Sequence, residues 1–148
     1  MKNNNQTLSL KFQLDVDADG WPPVSIESLL AKRICDDSFE ILVAPFFIKD
    51  ISAGDIIEVQ MDKDEIVKGW KTKTVSKRST VWILCKNFNQ IDATLEALKK
   101  QECNVERLKQ FNLIALDVPE NMGGEALEEH LSKMESEGAN IACPSFRH

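Results

Sequence analysis

Apolar and polar residues alternate through the first half of the chain. In the segment LSLKFQLDV, every second residue from Leu8 to Val16 is apolar, which places these side chains on one face of a strand. Further extended runs follow at 24–34, 38–43 and 56–62, separated by polar and glycine-containing turns. Together these runs predict a small antiparallel β barrel-like domain.

The period of the pattern changes in the second half. A strand is predicted over 80–86, and Ile91, Leu95 and Leu98 then recur at helical spacing. Two more extended runs, at 103–110 and 112–119, follow this helix. The pattern up to this point is β-α-β-β.

A second amphipathic helix and a last strand complete the predicted elements. Over 124–137, Leu127, Leu131 and Met134 fall on one helical face, and Gly138 is placed to end the helix. The run ANIACPSF over 139–146 reads as a strand. The resulting order, β-α-β-β-α-β, is that of the ferredoxin-like unit.

We therefore expect an α+β protein built from two domains. The first is a small antiparallel β barrel-like domain over 1–77, and the second is a ferredoxin-like α/β sandwich domain over 78–148. The segment KTKTVSKRST, which contains the boundary, is compatible with a continuing strand as well as with a linker.

Few residues are suited to catalysis. His148 is the last residue, and His130 lies beside the apolar stripe of the second helix, where a structural histidine is commoner than a general base. No familiar nucleotide-binding or hydrolase motif occurs. The four cysteines are widely spaced, which favours reduced, mostly buried thiols over zinc or a disulfide framework: Cys35, Cys85, Cys103 and Cys143. We expect a protein that is not an enzyme and uses no cofactor or metal.

One segment begins like a calcium loop. Asp15, Asp17 and Asp19 alternate before Gly20, and this D-x-D-x-D-G opening collects carboxylate oxygens around a cation in EF-hands. Here a strand precedes the loop, and its twelfth position holds Ile26 where an EF-hand has a bidentate glutamate. We expect a solvated turn without calcium, with Trp21 folded back over the core of the first domain.

The residues after this turn resemble a known family. The chain has G-W-P-P-V-x-x-E-x-L, then P-F-F, then a G-D turn, in an order and spacing similar to those of a bacterial domain-of-unknown-function family, the one numbered four-two-six-five. The matching residues are Gly20, Trp21, Pro22, Pro23, Val24, Glu27, Leu29, Pro45, Phe46, Phe47, Gly54 and Asp55. We expect the aromatic residues among them to be structural.

The resemblance also implies a Ser-Gly-(His or Asn)-Ser-Thr stretch before the second domain. This chain instead has Ser76-Lys77-Arg78-Ser79-Thr80, without the glycine or the histidine. Histidine chemistry assigned to the family through this stretch is therefore in doubt for this member.

Small acidic bacterial proteins of this kind are similar to immunity proteins, which neutralise toxins. A net charge of −6 suits a basic toxin as partner, because opposite charges accelerate association. The contact residues that we expect are four glutamates of the second helix and three aspartates of the early turn: Glu125, Glu128, Glu129, Glu135, Asp15, Asp17 and Asp19. An ordinary solvated helix face is the alternative explanation for the glutamates.

A basic strip over 68–78 indicates a different function. It surrounds one tryptophan with five cations, a composition that single-stranded nucleic acid or a small anion can use. Its residues are Lys68, Trp70, Lys71, Lys73, Lys77 and Arg78. The simpler explanation is an edge strand that its lysines protect from pairing. The overall negative charge makes nucleic acid the less favoured partner.

A small effector is a further alternative. The loop over 118–124 precedes a helix N-terminus, where an anion is favoured, although it also serves as an ordinary strand-to-helix connection. The sequence contains neither a signal core nor an apolar run long enough for a membrane span, so we expect a cytoplasmic protein without membrane contact. The pattern does not indicate an oligomeric state.

Overall fold

The structure is a computed structural model that describes residues 6–148. It confirms a mixed α+β protein with two sheets and two helices. The chain divides after Ser76 into two compact units, the second of which is Lys77–His148. Within residues 6–148, no helix has the length and apolar character needed to cross a membrane.

The first unit contains one five-stranded sheet. Its strands are β1 (Thr7–Gln13), β2 (Ile26–Cys35), β3 (Ser38–Ile41), β4 (Ile56–Met61) and β5 (Ile66–Thr74). Consecutive strands pair antiparallel. In addition, β1 pairs in parallel with β5 at two positions, Lys11 with Ile66 and Phe12 with Val67. The inward residues of these strands, among them Phe12, Leu29 and Phe39, form the core of the unit.

Two features of this sheet differ from the sequence prediction. β1 ends at Gln13, and Val16 is exposed at 47% and not part of an inward face. β5 was not among the predicted strands, although a continuing strand was compatible with part of its sequence. The alternation of apolar and polar residues is weak in β5. Val67 belongs to the core and Trp70 packs against it, while the lysines of the strand are exposed.

The second unit contains a four-stranded sheet and both helices. In chain order its strands and α-helices are β6 (Ser79–Leu84), α1 (Asp92–Lys100), β7 (Asn104–Leu108), β8 (Leu113–Val118), α2 (Gly124–Ser136) and β9 (Asn140–Ser145), and short 3-10 helices occupy Phe88–Ile91 and Lys109–Phe111. The strands lie in the order β7-β8-β6-β9, and every neighbouring pair is antiparallel.

The apolar stripes of the two helices join the core of the second unit as predicted. Leu95 and Leu98 of α1 are fully buried, and Leu127, Leu131 and Met134 of α2 are buried. They pack in one cluster with inward residues of β6 and β8. After α2, Gly138 has φ +105°, a conformation that suits glycine, so the predicted end of this helix is confirmed.

Candidate functional site

The outer face of α2 carries the predicted glutamates. Because Leu127, Leu131 and Met134 are buried, the helical repeat turns Glu125, Glu128 and Glu129 outward, and all three are exposed. Together with Ser132 they line a shallow surface depression. We call Glu125, Glu128 and Glu129 the acidic face.

The carboxylates of the acidic face have no protein partner. Among residues 6–148, none of the three forms an ion pair or a hydrogen bond through its side chain. Lys133, one helical turn after Glu129, forms no ion pair with it. Glu125 also lies in the first turn of α2, where the helix dipole favours a negative charge. The acidic face therefore presents uncompensated negative charge to solvent.

Glu135 lies near the other end of α2. It is exposed, and its charge contributes, after burial, to raising the pKa of the Cys143 thiol in β9. The charge of Glu135 therefore influences a thiol of the neighbouring strand, although the Glu135 side chain is exposed to solvent.

The acidic turn belongs to the first unit and is built around Asp17. One oxygen of the Asp17 carboxylate accepts the backbone N–H groups of Asp19, at 2.9 Å, and of Trp21, at 3.0 Å. Gly20 closes the turn with φ +79°. Asp15 and Asp19 are exposed. The sequence suggested three equivalent carboxylates, but Asp17 is a turn-forming residue. That the loop binds no calcium stays a prediction.

The basic strip is divided between the two units, and most of its cations have internal partners. In the first unit, the Lys68 ammonium hydrogen-bonds the Gln13 side chain and lies 3.4 Å from Asp62. Lys71 lies 3.9 Å from Glu58, and Lys73 donates to the Ser38 hydroxyl at 3.3 Å. Trp70 is partly buried against the core.

Arg78 takes part in the strongest ion pair of the strip. Its Nε and Nη2 donate to the two carboxylate oxygens of Asp117 at 2.8 and 2.9 Å, and Asn104 donates to the same carboxylate at 2.9 Å. The hydrogen bond with Asp117 raises the pKa of Arg78. Asp117 is buried in β8. Such a bidentate pair fixes the guanidinium, so this cation is structural.

Two motif regions that are far apart in sequence meet at Glu27. This residue occupies an inward position of β2 and is only 7% exposed. Its carboxylate accepts the backbone N–H of Phe46 at 2.6 Å and that of Phe47 at 3.0 Å, and a further bond comes from the backbone of Ile48. Burial raises the pKa of Glu27, and the three backbone donors oppose that rise. Glu27 thus anchors the P-F-F loop to the sheet.

Asp55 likewise holds the Gly54-Asp55 turn in place by accepting backbone N–H groups. It is fully buried, and its carboxylate accepts the backbone N–H groups of Ser52, at 3.0 Å, and Ser76, at 2.8 Å. Both Glu27 and Asp55 belong to the sequence motif, but the motif did not reveal that they hold loops in place. A signal for such a role was present in the sequence. In Glu27-x-Leu29-x-Ala31 an acidic residue occupies one of the alternate positions that are otherwise apolar, and a buried carboxylate needs hydrogen-bond donors.

The expectation that Trp21 covers the core is wrong. Its side chain is 47% exposed and meets Phe47 edge to face, with ring centroids 5.8 Å apart. Phe46 and Phe47 are partly buried. The hydrogen bond from the Trp21 backbone N–H to Asp17 makes Trp21 part of the acidic turn, whose three aspartates are also exposed.

A serine and a histidine form a close pair in the second unit. The hydroxyl of Ser79 lies 2.6 Å from Nδ1 of His148, and Nε2 of His148 lies 2.7 Å from the carbonyl oxygen of Pro119. The Ser79 oxygen also accepts the backbone N–H of Arg147 at 2.7 Å. Ser79 is fully buried. His148 also approaches Gly124, at the end of the loop considered for an effector.

The cysteines are free thiols, and two of them are exposed. Cys85 and Cys103 are buried, and burial raises the pKa of Cys103 to about 11. Cys35 and Cys143 are exposed, so the expectation of mostly buried thiols holds for only half of them. Within residues 6–148, no group of three or more His, Cys, Asp or Glu side chains is arranged to hold a metal ion.

Comparison with known proteins identifies the family. The model of the domain of unknown function DUF4265 matches residues 27–141. The chain belongs to this family. The match to DUF4265 includes Glu27, the P-F-F loop and Asp55, whereas Gly20 to Val24 immediately precede it. No curated protein matches the chain.

A solved structure shares the fold of this DUF4265 member. It is described as a novel crystal structure of a hypothetical protein from Neisseria gonorrhoeae. The two chains are 16% identical, 99% of each is covered, and the TM-score is 0.63. At this identity the likeness shows the fold alone.

Proposed function

We propose that this DUF4265 member is an immunity protein that binds a basic bacterial toxin and blocks its active site or substrate groove. The observation that supports this most directly is the acidic face of α2, whose three exposed carboxylates have no partner among the described residues. Unpaired charges on a rigid helix accelerate encounter with an oppositely charged protein and restrict its orientation. We also assign to this role Glu135, which lies on the same helix, and, in the first unit, the exposed Asp15 and Asp19.

The alternative is a nucleic-acid or small-anion binding module that uses the basic strip. Lys77 is exposed and available for such a role, but the other cations contact Asp62, Glu58, Ser38 or Asp117. A phosphate would have to compete with these partners. Because the acidic face has no competing partners, the immunity function is the better supported of the two.

A binding function without catalysis is consistent with the chemistry of the described residues. Ser79 and His148 have the spacing of a nucleophile and a base, but Ser79 is fully buried and already bonded on two sides. The high pKa of Cys103 keeps its thiol protonated at neutral pH, and a thiol is a weak nucleophile. Neither group supports an enzymatic role.

We also propose the finer architecture that the sequence suggested. The parallel pairing of β1 with β5 supports a barrel-like first domain, although it is limited to two residue pairs. The strand order β7-β8-β6-β9, with α1 and α2 as crossovers, supports a ferredoxin-like second domain. The domain boundary that we predicted, between 77 and 78, lies one residue after the division into two compact units at Ser76.

The first step of the test is to search next to the gene for this protein for a gene that encodes a toxin. The toxin domain is expressed in cells together with the native protein or with the triple variant Glu125→Lys, Glu128→Lys, Glu129→Lys. A matched control reverses three exposed glutamates of the same unit that lie outside α2: Glu102→Lys, Glu106→Lys, Glu120→Lys. Both triple variants change the net charge equally.

We expect the native protein and the control to protect the cells and the α2 variant to protect poorly. Purified components should show slower association for the α2 variant, and the difference should shrink as salt is raised. Full protection by the α2 variant would remove this helix from the interface. Failure of the native protein to bind or protect against the toxin would refute the immunity function itself.

A further inference from the structure

A cavity of about 500 Å³ opens at one end of the sheet in the second unit. It lies where β6 ends and where the turns before β8 and before β9 come together. Leu84 and Phe111 supply apolar surface. Gly138, in the turn between α2 and β9, also lines it, and a Cβ at this position would lie 3.2 Å from Oε1 of Gln90. The volume falls within the range of small-molecule sites, which is roughly 300–1,000 Å³.

The polar groups around this cavity are neutral amides and one cation. Four of the lining residues carry side-chain amides, and the cation is Lys86; the amide residues are Asn87, Gln90, Asn112 and Asn140. The lining includes no carboxylate, although the chain has 24 Asp and Glu residues and a net charge of −6. The local charge therefore has the opposite sign to that of the whole protein.

Most of these polar groups have no protein partner. The Asn87 side chain accepts the backbone N–H of Asn89, so its oxygen is occupied. Among the described residues, the side chains of Lys86, Gln90, Asn112 and Asn140 form neither a hydrogen bond nor an ion pair with the protein. Amide N–H groups and an ammonium group are donors to anionic oxygen.

We propose that this cavity binds a small monocarboxylate with an apolar or aromatic body. The apolar part packs against Leu84 and Phe111, the carboxylate pairs with Lys86, and the neighbouring amides donate to its oxygens. A single cation in the lining suits a single negative charge better than a dianion. This site is separate from the acidic face, and the inference does not depend on the immunity function.

The first experiment uses the isolated protein labelled with ¹⁵N. Benzoate, phenylacetate and hexanoate are titrated, with benzamide as the neutral analogue of benzoate and inorganic phosphate as an anion without an apolar body. We expect saturable shifts of the Gln90, Asn112 and Asn140 side-chain amide signals with at least one carboxylate, and weaker effects with benzamide and phosphate. No saturation with any of the three carboxylates overturns the proposal. Tighter binding of phosphate overturns the assignment to carboxylates.

The second experiment changes the cation. Lys86→Gln should weaken binding of the best carboxylate roughly tenfold, because it removes a hydrogen bond between charged groups. Lys100→Gln is the matched control, since Lys100 is exposed on α1 and outside the cavity. An equal dissociation constant for native protein and Lys86→Gln would exclude Lys86 from the site and overturn the proposed pairing. Unchanged backbone spectra of the free variants verify that the fold is intact.

Discussion

The acidic face and the basic strip each gather charges of one sign in a short segment, but the charges differ in what they contact. On α2, Glu125, Glu128 and Glu129 point to solvent without partners among the described residues. In the basic strip, Lys71 lies beside Glu58, and Arg78 is fixed by Asp117. A run of charges in a sequence therefore does not reveal whether those charges remain available to another molecule.

The acidic face lies on a helix, whereas much of the basic strip lies on a strand, and this explains why only the second has partners for its charges. Neighbours on one face of a helix come from the same short segment, so a segment rich in glutamate places like charges side by side. A strand instead pairs with another part of the chain, and the register of β4 with β5 sets Glu58 opposite Lys71. Four variants test this contrast.

The largest effect should come from the ion pair of the basic strip. Asp117→Ala removes a buried carboxylate and leaves Arg78, whose side chain is 28% exposed, without that partner. We expect the free energy of unfolding to fall by about 3 kcal/mol, because the substitution removes two charge-assisted hydrogen bonds from a partly buried cation. Urea denaturation measures this change. Lys77→Gln, an exposed neighbour, should change stability by less than about 0.5 kcal/mol. A small loss for Asp117→Ala would show that this ion pair contributes little to stability.

Glu27 tests a carboxylate that is held by backbone donors instead of a cation. In Glu27→Gln one carboxylate oxygen becomes an NH₂ group facing an N–H, so we expect a loss of roughly 2 kcal/mol at pH 7. Denaturation at pH 7 and at pH 5 gives the two free energies of unfolding. A loss below about 0.5 kcal/mol at pH 7 would show that the P-F-F loop does not depend on this anchor.

The same variant has a defined pH dependence. The folded-state pKa of Glu27 is raised from 4.5, so the folded protein binds the proton more tightly than the unfolded chain. This contribution to stability is fully present below about pH 4.5 and is lost as pH rises through the folded-state pKa. The difference between native protein and Glu27→Gln should therefore widen as pH falls from 7 through the folded-state pKa of Glu27. A difference that narrows would contradict the raised pKa.

The acidic face should matter much less for stability than the buried carboxylates. In the Glu125→Lys, Glu128→Lys, Glu129→Lys variant one set of like charges replaces another, and a lysine at the start of α2 opposes the helix dipole. We expect a loss below about 1 kcal/mol in urea denaturation and an unchanged circular dichroism spectrum. A loss of several kcal/mol would mean that these carboxylates have a structural role. The acidic face would then resemble the buried pair of Asp117.

The smallest effect should come from the exposed lysines of β5. Lys71→Gln with Lys73→Gln removes one surface ion pair and one hydrogen bond, and exposed pairs of this kind contribute about 0–1 kcal/mol. The same variant tests the alternative function through binding to a single-stranded oligonucleotide at low salt. We expect no saturable binding by the native protein. If the native protein binds the oligonucleotide strongly and the double variant does not, the basic strip is a binding site. Its charges would then be as available to another molecule as those of the acidic face.

Periodicity in the sequence predicted most of the elements. Alternation over β1 and helical spacing over α1 and α2 are imposed by burial of one face, so they are visible in residue order. β5 was missed because its outward face is lysine and its contact with the core depends on two residues, Val67 and Trp70. A strand of this kind is recognised only through its pairing with β4.

The sequence predicted less of the candidate site than of the fold. The outward direction of Glu125, Glu128 and Glu129 follows from the buried positions on the same helix and was predicted correctly. The partners of Arg78, Asp17 and Glu27 could not be predicted in this way. Arg78 and Glu27 bond to residues distant in the chain, and Asp17 differs from Asp15 and Asp19 only through the geometry of its turn.

Residue order and composition were enough to predict every strand except β5, the faces of the two helices and the excess of negative charge, because each of these is a local property of the chain. Tertiary structure alone decided which charges are neutralised, since a partner such as Asp117 for Arg78 is brought close by folding. It also decided that Trp21 is exposed, that Glu27 anchors the P-F-F loop, and that a cavity without carboxylates opens beside Lys86. Each of these depends on distances between residues far apart in the chain, which residue order does not contain.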